Sequence, residues 1–541
     1  MNEKALQSST KLRGGYYTPS TISNNLANWI MEDPQKKMEI LEPSVGDGSM
    51  IKPFINMSTN YNLTAIELDP EEVLKAQNLV INDTRFNIEL EDFFKLYSKE
   101  NKKYDAVIGN PPYIRYQLLT PEQREIQSHI LKKNGMKPNK LINSWVAFTV
   151  ACIEMLKDGG KIAFVLPTDL LQVSYAEQLR HFLYEQLSEM TIIAFNEAAF
   201  EGIQQDVVLL QGVKRISNNN HEDHKLRIIN LPNTEFLSNN YSQDFSTLSY
   251  NDDKKWTKYL LPNADIVNIN NLYASEVTLS LGKLAKVEVG ITTGRNEIFT
   301  VTQDTIDKYS LSEYARPLLG RSVQANGVLY AENDLFQNIE KQKKVWLLDF
   351  NLYSFDKLSI GAKKYISDIE DAGLNYGYKL GLRDEWYKVP SIWAPDAFML
   401  RRIGSFPKLI LNELSAVSTD TFHRVKFFND IDKYWTIFST YSSIGLLSFE
   451  LAGRNFGGGA LEILPGDINE ILVPKKPVNL SLNESKNLVK SLDEKFRSGE
   501  NIQSITEYVD QIMIDLNVLN EQQSHCYNQI WGKLNQRRSN K

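Results

Sequence analysis

Asn110-Pro111-Pro112-Tyr113 is a turn that could hold a planar exocyclic amine. The Asn110 side-chain oxygen and the Pro111 carbonyl can each accept one N–H. The two prolines stiffen the turn and fix the carbonyl direction, and Tyr113 offers a flat face to a heteroaromatic ring. An amine held in this way points its lone pair out of the ring plane, toward an electrophile. Asn-Pro-Pro is also an ordinary turn, so the tetrapeptide gains its weight from the residues upstream of it.

Those residues lie at the ends of apolar runs. Ile40-Leu41-Glu42-Pro43-Ser44-Val45-Gly46-Asp47-Gly48-Ser49 reads as a strand, a two-glycine loop and the start of a helix. Gly46 and Gly48 let backbone approach a ligand closely. The loop lacks the Gly-Lys-Ser/Thr ending of a phosphate loop, and Glu42 beside Pro43 would oppose a phosphate and favour a cation. The next run ends in Ala65-Ile66-Glu67-Leu68-Asp69, where Glu67 suits bidentate bonding to a ribose diol. A third ends in Leu90-Glu91-Asp92-Phe93-Phe94, where Asp92 can accept from an adenine amine and Phe93 can pack on the ring. An acid at a strand end is usually a helix cap. Four such features in order, each at the carboxyl end of a strand, converge on one crevice.

The elements that must position these groups follow from periodicity. Apolar runs at residues 38–41, 63–68, 86–90, 104–108, 161–166, 191–195 and 206–213 alternate with segments expected to be amphipathic helices, such as 71–80 and 144–156. This is the pattern of a doubly wound α/β sheet. The last two runs lack a helix between them and suit an antiparallel hairpin at one end. The polar run 217–221 reads as a loop. After about residue 245 the texture changes to scattered aromatics and short β-like runs at 284–289, 297–301, 344–349, 408–411 and 435–439. Residues 481–541 carry Leu, Lys, Glu and Gln at helical spacing. The expected organisation is a catalytic domain at 1–244, a mixed domain at 245–480 and a helical C-terminal segment at 481–541.

Together with Gly14-Gly15-Tyr16-Tyr17-Thr18-Pro19, the order of these motifs resembles class I S-adenosylmethionine-dependent methyltransferases. More specifically, it resembles the gamma-class, TaqI-like DNA adenine-N6 methyltransferases. The resemblance covers about the first 215 residues well. It implies a Rossmann-like, seven-stranded class I sheet followed by a mixed α+β target-recognition domain. It also implies S-adenosyl-L-methionine as cofactor, with Tyr16, Tyr17 and Thr18 at its methionine part. Glu42, Pro43, Gly46, Gly48, Glu67, Asp92, Phe93 and Asn110 complete that site, and Asn110, Pro111, Pro112 and Tyr113 form the catalytic turn. The substrate implied is adenine in double-stranded DNA, extruded and sandwiched between Tyr113 and Phe200. After residue 245 the resemblance to target-recognition domains is more diffuse. It rests on residues 289–296, 316–321 and 453–459, and there Arg295, Arg321, Arg401, Arg402 and Arg454 are candidate DNA contacts.

Bulk properties agree with this and exclude other classes. The 541 residues are 42% hydrophobic and 23% charged, as in an ordinary globular protein. No run approaches the ~18 apolar residues that span a bilayer. A formal charge of −7 argues against a histone-like DNA binder but not against local basic surfaces. Cys152 and Cys526 suggest neither a disulfide framework nor a thiolate metal site, which fits a reducing cytosol, and the resemblance implies the cytoplasm of a bacterial or archaeal cell. His221-Glu222-Asp223-His224 reads as a polar loop, so no metal is expected. Pro395-Asp396 lacks the following Asp/Glu-x-Lys of a nuclease. The expectation is a methylase without its own nuclease, partnered by a separately encoded restriction endonuclease. Alternatives left open by the residues are an RNA adenine methyltransferase, a protein-glutamine methyltransferase and a DNA-binding protein that has lost catalysis.

Overall fold

The computed structural model describes residues 18–32, 36–57, 60–99, 101–139, 142–196, 206–216, 224–238, 241, 246–247, 255–457 and 459–539. Tyr16, Tyr17, Phe200 and the 217–221 run therefore lie outside the described residues. The chain divides into two compact units, one running to Pro262 and the other spanning Asn263–Ser539.

The first unit is built on one mixed sheet. Its strands are β1 (Met38–Glu42), β2 (Tyr61–Glu67), β3 (Phe86–Leu90), β4 (Tyr104–Gly109), β5 (Leu156–Pro167), β6 (Leu187–Phe195), β7 (Val207–Lys214), β8 (Lys225–Leu231) and the two-residue β9 (Ser246–Thr247). Their order is β3-β2-β1-β4-β5-β7-β6-β8-β9. β3 to β5 run parallel through β1, and β7 lies antiparallel between β5 and β6. The expected antiparallel hairpin is β6–β7, but it does not end the sheet, which continues through β8 and β9. The expected seven strands become nine, because β8 pairs parallel to β6 and β9 pairs antiparallel to β8. The alternation in Lys225-Leu226-Arg227-Ile228, whose burial runs exposed, buried, intermediate, buried, carries the signal for β8.

The two-residue period divides the core between the two faces of the sheet. Leu41, Ile66, Val107 and Phe164 pack with the helices Phe93–Lys99, Pro121–Lys133, Ser144–Met155 and Glu177–Gln186. Ile40, Ala65, Ala106, Ile108 and Val165 pack on the opposite face with the helix Ser20–Ile30 and with Ala76 of the helix Pro70–Leu79. The helix Ser144–Met155 is not amphipathic as expected. Every residue but Glu154 is buried, and that carboxylate takes the Lys133 ammonium at 2.8 Å. A helix apolar all round belongs inside a layer.

The second unit is mixed. A five-stranded sheet runs Ala285–Val289, Phe422–Phe427, Ala397–Leu400, Leu409–Asn412 and Leu329–Tyr330, accompanied by smaller four-, three- and two-stranded sheets. Residues 435–439, expected as a strand, belong to the helix Lys433–Thr440, because Asp432 caps it by accepting from the Tyr434 and Trp435 amides at 3.0 and 3.1 Å. Residues 297–301 are likewise mostly helix, Asn296–Phe299, followed by the short strand Thr300–Val301. The C-terminal helices Leu482–Arg497, Ile502–Asp515 and Glu521–Ser539 join this unit through ion pairs. Arg497 bonds Asp334 at 2.7 Å and Arg538 bonds Glu450 at 2.6 Å.

Candidate active site

The parallel strands β1, β2, β3 and β4 all end at one edge, and a cavity of about 560 Å³ opens there. It is lined by Thr18, by the Pro43–Asp47 loop after β1, and by Glu67 to Pro70 after β2. Glu91 to Phe94 after β3 and Asn110 and Pro112 after β4 complete that side of the wall. The ends of a parallel sheet are where loops are free to diverge and make a crevice.

Backbone and carboxylates shape the glycine loop together. Gly46 and Gly48 both lie in the left-handed region, at φ 52° and 87°. A Cβ on Gly48 would also sit 2.5 Å from Leu79 Cδ1, so this loop passes close to the helix Pro70–Leu79. Glu67 gathers the crevice. Its Oε2 accepts from the Gly46 amide at 2.9 Å, and its Oε1 accepts from the Leu68 and Asp69 amides at 2.8 and 2.9 Å. Oε2 has a further lone pair for a hydroxyl, while Oε1 already accepts two bonds. Asp92 is in part the helix cap that strand-end acids usually are, with Oδ1 accepting from the Phe94 amide at 2.8 Å. Its Oδ2 lies 3.4 Å from Gln123 Nε2. Phe93 stacks on Phe148 with ring centroids 4.8 Å apart, and both rings reach the cavity wall.

Glu42 is placed differently from the rest. It is fully buried and lies beneath the wall, not on it. Oε2 accepts from the Ser44 amide at 3.1 Å, while Oε1 has no hydrogen-bond partner among the described residues. Burial pushes this carboxyl well above the usual carboxylate range, and the nearby Glu67 charge adds to the rise. Gly109 makes room for it, since a Cβ there would stand 3.0 Å from Oε1.

The turn after β4 is held from three sides. Asn110 Nδ2 donates to Thr18 Oγ1 at 3.2 Å, and the Tyr113 hydroxyl donates to Asn110 Oδ1 at 3.1 Å. These two bonds fix the orientation of the amide. The Tyr113 hydroxyl is also within 3.2 Å of the Val165 carbonyl. Ser144 ties down the far end: its Oγ donates to the Pro112 carbonyl at 2.6 Å and accepts from the Ile114 amide at 3.1 Å. The Pro111 carbonyl accepts no hydrogen bond among the described residues.

Sequence reasoning missed several of the wall residues. Leu68 and Leu118 are large, apolar and more than half exposed, and both line the cavity. Ser144, Gln123 and Phe148 come from helices after the turn. Their available signal was the Ser that opens an otherwise largely apolar helix.

The electrostatics of the wall are one-sided. Asp47, Glu67, Asp69, Glu72, Glu91 and Asp92 line it, and no Lys, Arg or His does among the described residues. Such a wall repels phosphate and attracts a cation.

Comparison with known proteins agrees with this geometry. Residues 37–200 match the family described as Eco57I restriction-modification methylase. Residues 253–514 match the one described as Type II methyltransferase M.Eco57I, C-terminal domain. Between them the two matches take in most of the chain. The protein is a DNA methyltransferase of restriction-modification type, and its cofactor is S-adenosyl-L-methionine. The methylase is 24% identical to the Type II methyltransferase M.AccI of Acinetobacter calcoaceticus over 532 residues, 92% of this chain and 93% of that one. It is 31% identical to M.HindII of Haemophilus influenzae over 239 residues, 43% of this chain and 41% of that one. The fold is also that of the Type IIL restriction-modification enzyme MmeI, solved in complex with DNA. That likeness has a TM-score of 0.56 at 10% identity, and it covers 95% of this chain and 75% of that one.

The methylase's cavity fits its cofactor, which carries a sulfonium and an ammonium cation but no phosphate. The acid-lined wall is electrostatically suited to positive charge. Glu67 and Asp92 are positioned for hydroxyl and amine donors, and Phe93 and Leu68 supply apolar faces.

The candidate DNA contacts of the second unit fare unevenly. Arg321 is exposed, on a turn fixed by Gln324 Oε1 accepting from the Gly320 and Arg321 amides. Arg401 and Arg402 both approach Glu462 Oε1, at 3.1 and 3.7 Å. Arg295 donates to the Leu374 carbonyl at 2.6 Å. Arg454 is only 12% exposed, with one nitrogen donating to both oxygens of Asp467 at 3.0 and 3.1 Å. Of the His221–His224 run only His224 is described, stacked on Tyr184 at 3.8 Å, and no metal-binding cluster occurs among the described residues.

Proposed function

We propose that this methylase transfers a methyl group to the N6 amine of adenine at specific sites in duplex DNA. The observation that carries the reading is the Asn110–Tyr113 turn, held by Thr18, Val165 and Ser144 at the lip of the acid-lined cavity. The bound cofactor supplies an electrophilic sulfonium methyl. Asn110 Oδ1 and the Pro111 carbonyl accept the two amine hydrogens, which draws the nitrogen lone pair out of conjugation and aims it at the cavity. Alignment of this kind can contribute about 7–11 kcal/mol to a displacement. No residue of the turn need act as nucleophile or base, because the proton can leave after transfer.

The catalytic role is assigned to Asn110, Pro111, Pro112 and Tyr113, and the cofactor role to Thr18, Glu42, Pro43, Gly46, Gly48, Glu67, Asp92 and Phe93. Tyr16, Tyr17 and Phe200 are assigned by motif alone. An adenine inside a duplex cannot reach this turn, so extrusion belongs to the proposal, with Tyr113 and Phe200 as walls. The second unit reads the site, a separately encoded endonuclease is its counterpart, and the setting is the cytoplasm. In support, no described helix is long and apolar enough to cross a membrane.

The test is transfer of tritiated methyl from the cofactor to DNA, RNA and protein offered in parallel. Counts in duplex DNA that vanish in Asn110→Ala are expected. Counts in RNA or protein alone would overturn the proposal.

A further inference from the structure

Between the helix Ile360–Asp371 and the strand Ala397–Leu400, residues 374–383 form a loop with a fastened base and a bare tip. Leu380 is 1% exposed and plugs into a core cluster with Ile291, Ile298, Phe299 and Val389. Two arginines clasp the loop to the 290–296 segment in opposite directions. Arg383 donates to the Thr292 and Thr293 carbonyls at 3.3 and 2.7 Å, and Arg295 donates back to the Leu374 carbonyl at 2.6 Å. The Arg383 guanidinium also lies 5.5 Å over the Phe299 ring. The crossing is close: a Cβ on Gly294 would meet Leu380 Cδ1 at 2.6 Å and Lys379 Cβ at 3.1 Å.

Beyond this clasp, Tyr376 and Tyr378 are 73% and 83% exposed, and Gly377, Lys379 and Leu382 are exposed with them. Scattered single apolar side chains on a surface need no explanation, but two aromatic rings and a leucine on one fastened loop do. The segment 374–383 carries Lys379 and Arg383 and no acid; Asp371 and Asp384 flank it from outside. Tyrosine offers a large, stiff contact face with a polar rim and few rotamers to freeze. Rings beside a cation match the alternation of base faces and phosphates in a nucleic acid groove.

We propose that the 376–379 tip is a wedge that enters duplex DNA, with Tyr376 and Tyr378 against base or sugar faces and Lys379 at a phosphate. The inference rests on the DNA reading above. It gives Arg295 a positioning role in place of direct DNA contact.

The full-length methylase is tested on a short duplex carrying the site read by sequencing wild-type-modified DNA. Tyr376→Ala with Tyr378→Ala should weaken binding about tenfold or more, while the salt slope, the cofactor affinity and the melting temperature hold. The paired Tyr→Phe variants should keep the affinity, because the faces survive. Lys379→Gln should reduce the salt slope by about one. Binding by the alanine pair within about twofold of wild type would overturn the wedge, as would a loss of equal size in the phenylalanine pair. If wild type itself bound no DNA and methylated only RNA or protein, the DNA reading would be at fault, and that result is separate from either of these.

Discussion

The two units use their charged side chains in opposite ways. In the first, the acids that stand out in the sequence lie at strand ends, and topology brings Glu67 and Asp92 to one wall beside Asn110. In the second, the arginines that stand out are mostly turned on the protein itself: Arg454 on Asp467, Arg401 on Glu462, Arg295 on a backbone carbonyl. A doubly wound sheet converts position along the chain into position in space, because every parallel strand ends on the same side. A mixed domain of short strands has no such rule. There a conspicuous arginine is as readily an internal fastener as a contact, and exposure of Arg321 or of Tyr376 and Tyr378 says more than residue type.

That contrast can be broken or sharpened by substitution. The largest effect is expected at Asn110→Ala, where turnover should fall by roughly a hundredfold or more while cofactor affinity stays within a few fold. Single-turnover kinetics beside calorimetry separates the two. Next, Glu67→Ala should weaken cofactor binding by about 1.5–3 kcal/mol, the worth of charge-assisted hydrogen bonds, and Glu67→Gln should recover part of the loss. Unchanged calorimetric affinity in the alanine variant would move Glu67 from ligand contact to loop support alone.

A pair of arginines carries the comparison into the second unit. Arg454→Ala should cost about 2–4 kcal/mol of stability, since it takes the guanidinium from a largely buried Asp467, and denaturant melts will register it. Arg321→Ala should leave stability within about 0.5 kcal/mol and lower the salt slope of DNA binding by about one. Equal behaviour of the two would erase the distinction drawn here. The smallest effect concerns Glu42. Its folded carboxyl keeps a proton that the unfolded chain releases above about pH 4.3, so this group's contribution to stability declines as pH rises from there toward its raised folded value. In cofactor-free protein, Glu42→Gln should therefore gain melting temperature relative to wild type at alkaline pH and little at pH 4. A constant gap would show that Glu42 does not titrate across folding.

Much of the catalytic unit was legible because period-two alternation and strand-end acids are local signals. The strands around Ile40, Ala65 and Ile108 lie close to where their apolar runs fall. Strand β8 escaped because it begins by alternating charged with apolar residues instead of forming a continuous apolar run. The burial of Glu42 beneath the wall was not legible either, since the sequence shows an acid beside a glycine loop and not the direction it faces. Ser144 and Phe148 reach the cavity from the helix Ser144–Met155, well beyond the turn, a relation that only tertiary packing creates. In the second unit, the Asp432 cap outweighed the β-like texture of Trp435 to Ser439. The clasp between Arg295 and Arg383 joins segments about eighty residues apart, which no local pattern announces.

The most direct test is the chemical identity of the product. Unmethylated duplex DNA is treated with the methylase and S-adenosyl-L-methionine, digested to nucleosides and resolved by mass spectrometry, with Asn110→Ala in parallel. N6-methyladenine from wild type and none from the variant is the expected result. A methylated cytosine, or N6-methyladenine at equal yield from Asn110→Ala, would contradict the account.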